Sequence, residues 1–285
     1  MAKKVIVRNL MYALSIFAFF FIWFLWSKSV DNSILAPTPS DTFSSLLMIL
    51  SQKKTYVIIG YTLLRLLLGL SFSLLVALLL GVLSYVFSML NHFLKPLSSL
   101  LRTIPVASII VIIIIITNKD LAPHILVFLM LFPLFYEAIL GGLKQISMDN
   151  ALNAYRLDSN LNASVLFKIH LPLLLPYIKT SLIQAIGLGF KVLVMAEFIA
   201  QTKYSIGKSI YDAKNQVEFG EVFAWTIILI ILVLFIEGSV EFLKYEISKE
   251  KRINNTLVRI EEINEVIIEK NLNILLENKV VKNEK

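Results

Sequence analysis

Apolar residues run through this chain in long blocks, and the polar residues between them fall into short, separated patches. A helix needs about 20 apolar residues to cross a hydrocarbon core of roughly 30 Å. Six blocks qualify: 10–26, 56–87, 94–116, 125–143, 171–200 and 222–242. The first follows Lys3, Lys4 and Arg8, as a signal peptide would, but no small-x-small cleavage site follows Trp26, so an uncleaved span is expected. The third contains Pro96, Arg102 and Pro105 and becomes wholly apolar only from Val106, so its start is expected to be an interfacial helix. The fourth is interrupted by Pro133. Residues 27–54 read as a polar stretch with Pro37 and Pro39, residues 144–170 as a segment outside the membrane, and residues 201–221 as a polar loop.

Composition agrees with that pattern. The 285 residues are 57% hydrophobic and 16% charged, with a mean hydropathy of +0.77, far from a soluble domain with about a quarter of its residues charged. The expected fold class is all-α, a polytopic membrane protein. There is no cysteine, which excludes disulfides, thiolate metal sites and cysteine nucleophiles. The net charge of +7 is scattered over loops without interleaved aromatics, which fits anionic lipid at the membrane edges and argues against nucleic acid.

Orientation follows from Lys and Arg marking the cytoplasmic side. Basic residues are nearly level between the two sets of loops, so the leading cluster Lys3, Lys4 and Arg8 and the even number of spans decide it: both termini are expected in the cytoplasm. Beyond residue 245 the tail carries Ile253, Leu257, Ile260 and Ile267 at helical spacing, an amphipathic pattern that suits a partner, a membrane surface or a solvated extension.

Enzyme chemistry finds little footing. Gly207, Lys208 and Ser209 spell the end of a phosphate-binding loop, but Thr202 stands where its first Gly is required. His92, His124 and His170 fall in different loops without metal-ligand spacing, and no serine stands in a nucleophile motif. No catalytic residue, metal or cofactor is therefore expected. Charges inside the spans are better candidates, because placing one near the bilayer centre costs at least ~2.5 kcal/mol. Arg65, Lys191, Glu197 and Glu237 are such charges. Lys191 and Glu197 are separated by about 600° of helical rotation and need partners on other spans. Arg65 can pair with Glu197, or Arg65 and Lys191 can snorkel with Glu197 at the outer interface. Gly187 and Gly189 nearby would admit a cavity or a close helix crossing.

The segment 150–178, NALNAYRLDSNLNASVLFKIHLPLLLPYI, is polar and helix-compatible up to Leu171 and Pro172, with Asp158, Ser159, Asn160 and Asn162 as breaking or capping residues. From the residues alone it is either a docking surface or a connection. It resembles the docking motif of permease subunits from ATP-binding-cassette importers, where Glu-Ala-Ala, three residues, Gly and a further stretch lead to Leu-Pro. Asn153, Ala154, Tyr155, Arg156, Ser159, Leu171 and Pro172 occupy the corresponding positions, with Asn153, Tyr155 and Ser159 departing from the Glu, the second Ala and the Gly. Thr62-Leu63-x-Arg65 with Gly69, Leu100 to Pro105, Met195-Ala196-Glu197 and Ile206 to Ile210 resemble other motifs of that family, within a region of about 56–245.

The resemblance implies a type I importer permease fold with six transmembrane helices and a cytoplasmic coupling helix. Its expected parts are an N-terminal helix and outer loop (1–55), a permease core of five spans (56–245) with its coupling loop at 148–170, and a cytoplasmic tail (246–285). It implies a multi-pass protein of the inner cell membrane, paired as a homodimer, with separate ATPase subunits below and a substrate-binding protein above. Within the family the motifs resemble the subgroup importing nitrate, sulfonates, taurine or vitamin-precursor pyrimidines. Arg65, Lys191 and Glu197 are then candidates for the translocation path. An ion-gradient-driven transporter and a membrane scaffold are the alternatives.

Overall fold

The computed structural model describes residues 2–30, 32, 35–148, 171–240 and 242, and the described residues contain helices and no strand. Residues Met1–Phe235 form one compact body, and Ile236–Lys285 a second. The docking-motif residues Asn153, Ala154, Tyr155, Arg156 and Ser159 and the tail pattern beyond residue 245 lie outside the described residues.

Helix α1 is Ala2–Val30, α2 Pro39–Ser51, α3 Lys53–Val86, α4 Ser88–Thr103, α5 Val106–Ile116, α6 Ala122–Met148, α7 Leu171–Ala200 and α8 Ile206–Asn215. The last, α9, is Phe219–Val240. Five stretches are long and apolar enough to cross a membrane: Leu10–Val30, Lys53–Val86, Ala122–Gln145, Leu171–Ala200 and Phe219–Val240.

The expected third span is divided. Helices α4 and α5 meet at a bend of 105°, because Pro105 forces Ile104 into extended backbone, φ −72° and ψ 128°. With 11 residues, α5 is only about 16 Å long and cannot cross the hydrocarbon core alone. Helix α4 is the separate helix at the start of this block. Two helices also occupy stretches read as loop. Helix α2 begins at a capping box: Thr38 Oγ1 accepts from the Asp41 N–H at 3.2 Å, and Asp41 Oδ2 accepts from the Thr38 N–H at 3.1 Å. Helix α8 sits inside the polar stretch 201–221.

Glycines set the bundle's packing. A Cβ at Gly69 would lie 2.5 Å from Val127, and one at Gly81 would lie 2.9 Å from Ile139. Both pairings share one offset in sequence, so α3 and α6 run parallel. The chain must therefore return between them, and α4 with α5 makes that return. Helix α7 is antiparallel to both: Gly142 of α6 abuts Leu174 and Tyr177, and Gly189 of α7 abuts Leu66 and Leu131. Small residues at such crossings let helix backbones approach where apolar lipid gives no hydrophobic drive for association.

These directions define two ends. At the upper end lie the start of α3, the end of α7, helices α2 and α8 and the start of α9, joined by a cluster of Leu46, Ile49, Ile58, Ile206, Ala224, Trp225 and Ile228. The end of α1 attaches there through Trp23, which stacks on Phe223 at 5.5 Å and donates to the Pro37 carbonyl at 3.2 Å. At the lower end lie α4, the end of α6 and the start of α7.

Replacing Gly69 with Ala is expected to destabilise the bundle by about 1–3 kcal/mol through overpacking against Val127. Gly60→Ala, with nothing within 4 Å of the new Cβ, is expected to be neutral or stabilising. Thermal unfolding of the two variants in the same detergent checks the contrast.

Candidate functional site

Glu197 is completely buried near the end of α7. Its carboxylate receives donors from two other elements. Arg65 on α3 brings Nη1 to 3.1 Å from Oε1, with the arginine side chain only 12% exposed. Thr62, one turn earlier on the same face of α3, donates its hydroxyl to the carboxylate, with Oγ1 3.1 Å from each oxygen. The Gly207 amide at the start of α8 donates to Oε2 at 3.3 Å.

Arg65 and Thr62 also organise the loop between α7 and α8. Arg65 also donates to the Tyr204 carbonyl at 3.0 Å and to the Lys203 carbonyl at 2.9 Å. Thr62 Oγ1 accepts from the Ile206 N–H at 3.1 Å. Ser205 caps α8, accepting from the Lys208 N–H at 3.1 Å while donating to the Thr202 carbonyl at 2.7 Å. Thr202 donates to the Lys119 carbonyl at 2.8 Å, which ties in the start of α6. Glu197 thus occupies the positive end of the α8 dipole, and the Gly207 and Lys208 amides that a phosphate would need are already used. Gly207 has no substitute: a Cβ there would come within 2.6 Å of Glu197 Cβ and closer still to the backbone of Val194 and Phe198.

Of the candidate charges, the structure joins Arg65 and Glu197 and leaves Lys191 apart. Lys191 lies on an exposed face of α7 with Thr180 and Gln184, where spacings of four and seven residues form one stripe. It has no hydrogen-bond or ion-pair partner among the described residues. Leu171 and Pro172 form the first turn of α7, with Pro172 exposed; proline is tolerated there because its missing N–H would be unpaired anyway.

A second ion pair escaped the sequence reading. Arg102 of α4 meets Glu137 of α6 at 2.6 Å, and Ser98 donates to the same carboxylate at 3.3 Å. The available signal was Glu137 itself, an acid inside an apolar block. The capping role of Ser205 could be read from its place before the Ile-Gly-Lys-Ser run, whereas the close approach at Gly207 required the fold.

Residues 69–248 match the family model described as "binding-protein-dependent transport system inner membrane component". The chain belongs to that family. The bicarbonate transport system permease protein CmpB of Synechococcus elongatus is 31% identical over 150 residues, covering 52% of this chain and 53% of the relative, and CmpB of a second Synechococcus strain matches equally. The chain therefore spans about half the length of these curated relatives. Among solved structures, a chain of the inward-facing MetNI methionine ABC transporter aligns with a TM-score of 0.54 at 17% identity, covering 66% of this chain and 94% of that one. At that identity the likeness establishes the fold alone. The family match contains Glu197 and Gly207 but begins after Thr62 and Arg65, so the buried cluster extends beyond it.

Glu197→Gln leaves the Arg65 charge buried without its counterion and is expected to cost about 3 kcal/mol or more. The pair Arg65→Met with Glu197→Leu is expected to lose less than the sum of its single changes, by about 1–3 kcal/mol. Thermal unfolding of the four variants in a double-mutant cycle measures that difference.

Proposed function

We propose that this protein is the permease subunit of an ATP-binding-cassette importer, conducting a small anionic solute along a path between two copies of the chain. The observation that carries the reading is the family match over residues 69–248, whose description names a binding-protein-dependent system. Hydrolysis of ATP belongs to separate subunits seated at the lower end, and a solute-binding protein delivers at the upper end. The chain performs no covalent chemistry; it supplies a path and the means of opening it.

Support for the solute's charge comes from α7. A membrane-crossing helix that carries Thr180, Gln184 and Lys191 on one exposed face is costly against lipid, so that face belongs to a wet path or a protein contact. Lys191 is the cation on that stripe, whereas Arg65 is committed to Glu197 and two carbonyls. In this reading Lys191 attracts the solute, while Arg65 and Glu197 hold the wall that presents it. Bicarbonate, the substrate named for CmpB, is an anion of the right kind, as are nitrate and sulfonates.

The coupling segment 148–170 joins Met148 to Leu171, and both of these flanking residues belong to the lower end. Parallel α3 and α6, with the bent pair returning between them, give the parity of six crossings and so favour a lower end that faces the cytoplasm together with both termini. Closure of the ATPase pair would push on this segment and tilt α6 and α7 together.

Two measurements test the proposal. The intact chain is expected to co-purify with an ATP-hydrolysing subunit in mild detergent, and Ala154→Glu with Ser159→Glu is expected to abolish that association. Purified chain that moves solute without any nucleotide-hydrolysing companion would overturn the reading. In the reconstituted complex, Lys191→Gln is expected to lower uptake of the anionic solute roughly 10-fold or more, the scale of one charged hydrogen bond, with unfolding temperature unchanged.

A further inference from the structure

The upper end carries a second charged feature, built on the first. Lys54, Ile58, Thr62 and Arg65 recur every three or four residues and share one face of α3. Arg65 donates to the carbonyls of Lys203 and Tyr204 at 2.9 and 3.0 Å, which sets the Lys203 backbone beside that helix. Tyr204 keeps left-handed backbone there, φ 49°, a conformation that a bulky residue holds only when its surroundings enforce it.

Toward the start of α3 opens a cavity of about 280 Å³, lined by Lys54, Ile58, Lys203, Ser205, Lys208 and Asp212 among others. Its lining carries three ammonium groups and one carboxylate. Asp212 answers Lys208, with both oxygens 2.8 Å from Nζ, and the Lys54 and Lys203 ammonium groups have no partner among the described residues. The neutral polar groups are already committed: the Ser205 hydroxyl bonds to Thr202 and Lys208, and the Ser209 hydroxyl to the Ser205 carbonyl. What the cavity offers a ligand is therefore two unanswered positive charges on separate elements. In the proposed orientation this end faces away from the cytoplasm, the side on which Lys and Arg are ordinarily scarce.

We propose that this cavity holds a small oxyanion bridged between Lys54 and Lys203. Two ammonium groups carried by different elements are answered by one ion with several acceptor oxygens, and the volume lies at the small end of the range for ligand sites. A recess lined mostly by one sign of charge also raises the local concentration of the opposite ion. The inference rests on the reading that the carried solute is an anion, for which the cavity is a collecting site ahead of Lys191. The buried Arg65 and Glu197 then have a further task, which is to fix the loop that sets Lys203 beside Lys54.

The test is amine-selective acetylation of the full-length chain in detergent, read lysine by lysine by mass spectrometry, at constant ionic strength in chloride, nitrate or methanesulfonate. Nitrate and methanesulfonate are expected to slow labelling of Lys54 and Lys203 several-fold relative to chloride and to leave the exposed Lys119 unchanged. Lys54→Gln is expected to abolish the protection at Lys203, and Lys203→Gln that at Lys54, whereas Lys54→Arg keeps it, which separates a lost anion bridge from a lost fold. Equal rates in all the salts, protection at Lys203 that survives Lys54→Gln, or slowing that appears only when a solute-binding protein is added would each overturn the proposal. The last outcome would make the ligand a partner's surface. Because no transport is measured, each of these results is independent of co-purification with an ATPase, on which the permease reading stands.

Discussion

A carboxylate with no exposure to solvent has to be surrounded by donors, and at Glu197 those donors come from α3 and from the first turn of α8. Removing an ion pair from water costs several kcal/mol per charge unless geometry and further hydrogen bonds repay it. Here the repayment requires the helices to meet at one level. Arg65 also donates to the carbonyls of Lys203 and Tyr204, and the Thr62 hydroxyl both donates to Glu197 and accepts from the Ile206 N–H. The loop from α7 to α8 is therefore fixed by the same charge that fixes the helices, and the apolar cluster around Trp225 closes over the outside.

Below that level the bundle depends on shape more than on polarity. Gly69 and Gly81 meet α6 in register, Gly142 and Gly189 meet the antiparallel α7 and α3 contacts, and each leaves no room for a side chain. The parallel course of α3 and α6 then dictates the connection. A return path is required, and Pro105 divides it into two short helices that meet at 105°. That arrangement gives the chain a bent pair, α4 and α5, between its parallel helices α3 and α6.

Much of this was legible in the sequence because long apolar blocks have one structural solution in lipid. The crossings at α1, α3, α6, α7 and α9 followed from length alone, and the candidate pairing of Arg65 with Glu197 followed from the cost of isolated charges. Helix α2 was readable in principle, since Thr38-Pro39-Ser40-Asp41 is a capping box, but its polarity pointed to a loop. Helix α8 was hidden for the same reason, its first turn being polar and its anchor lying on distant helices. The Arg102 to Glu137 pair joins residues on separate elements whose neighbourhood depends on the bend at Pro105. The proposal for Lys191 rests on subtraction, because Arg65 is occupied by Glu197 and two carbonyls.

Gly207 has a mechanical consequence. With no side chain between them, α8 rests on the backbone of α7, and the buried charge pins the contact from beneath. A joint of this kind has no slack. Any push that shifts α8 at the surface shifts the shaft of α7 with it, and Lys191 rides on that shaft about 9 Å farther along.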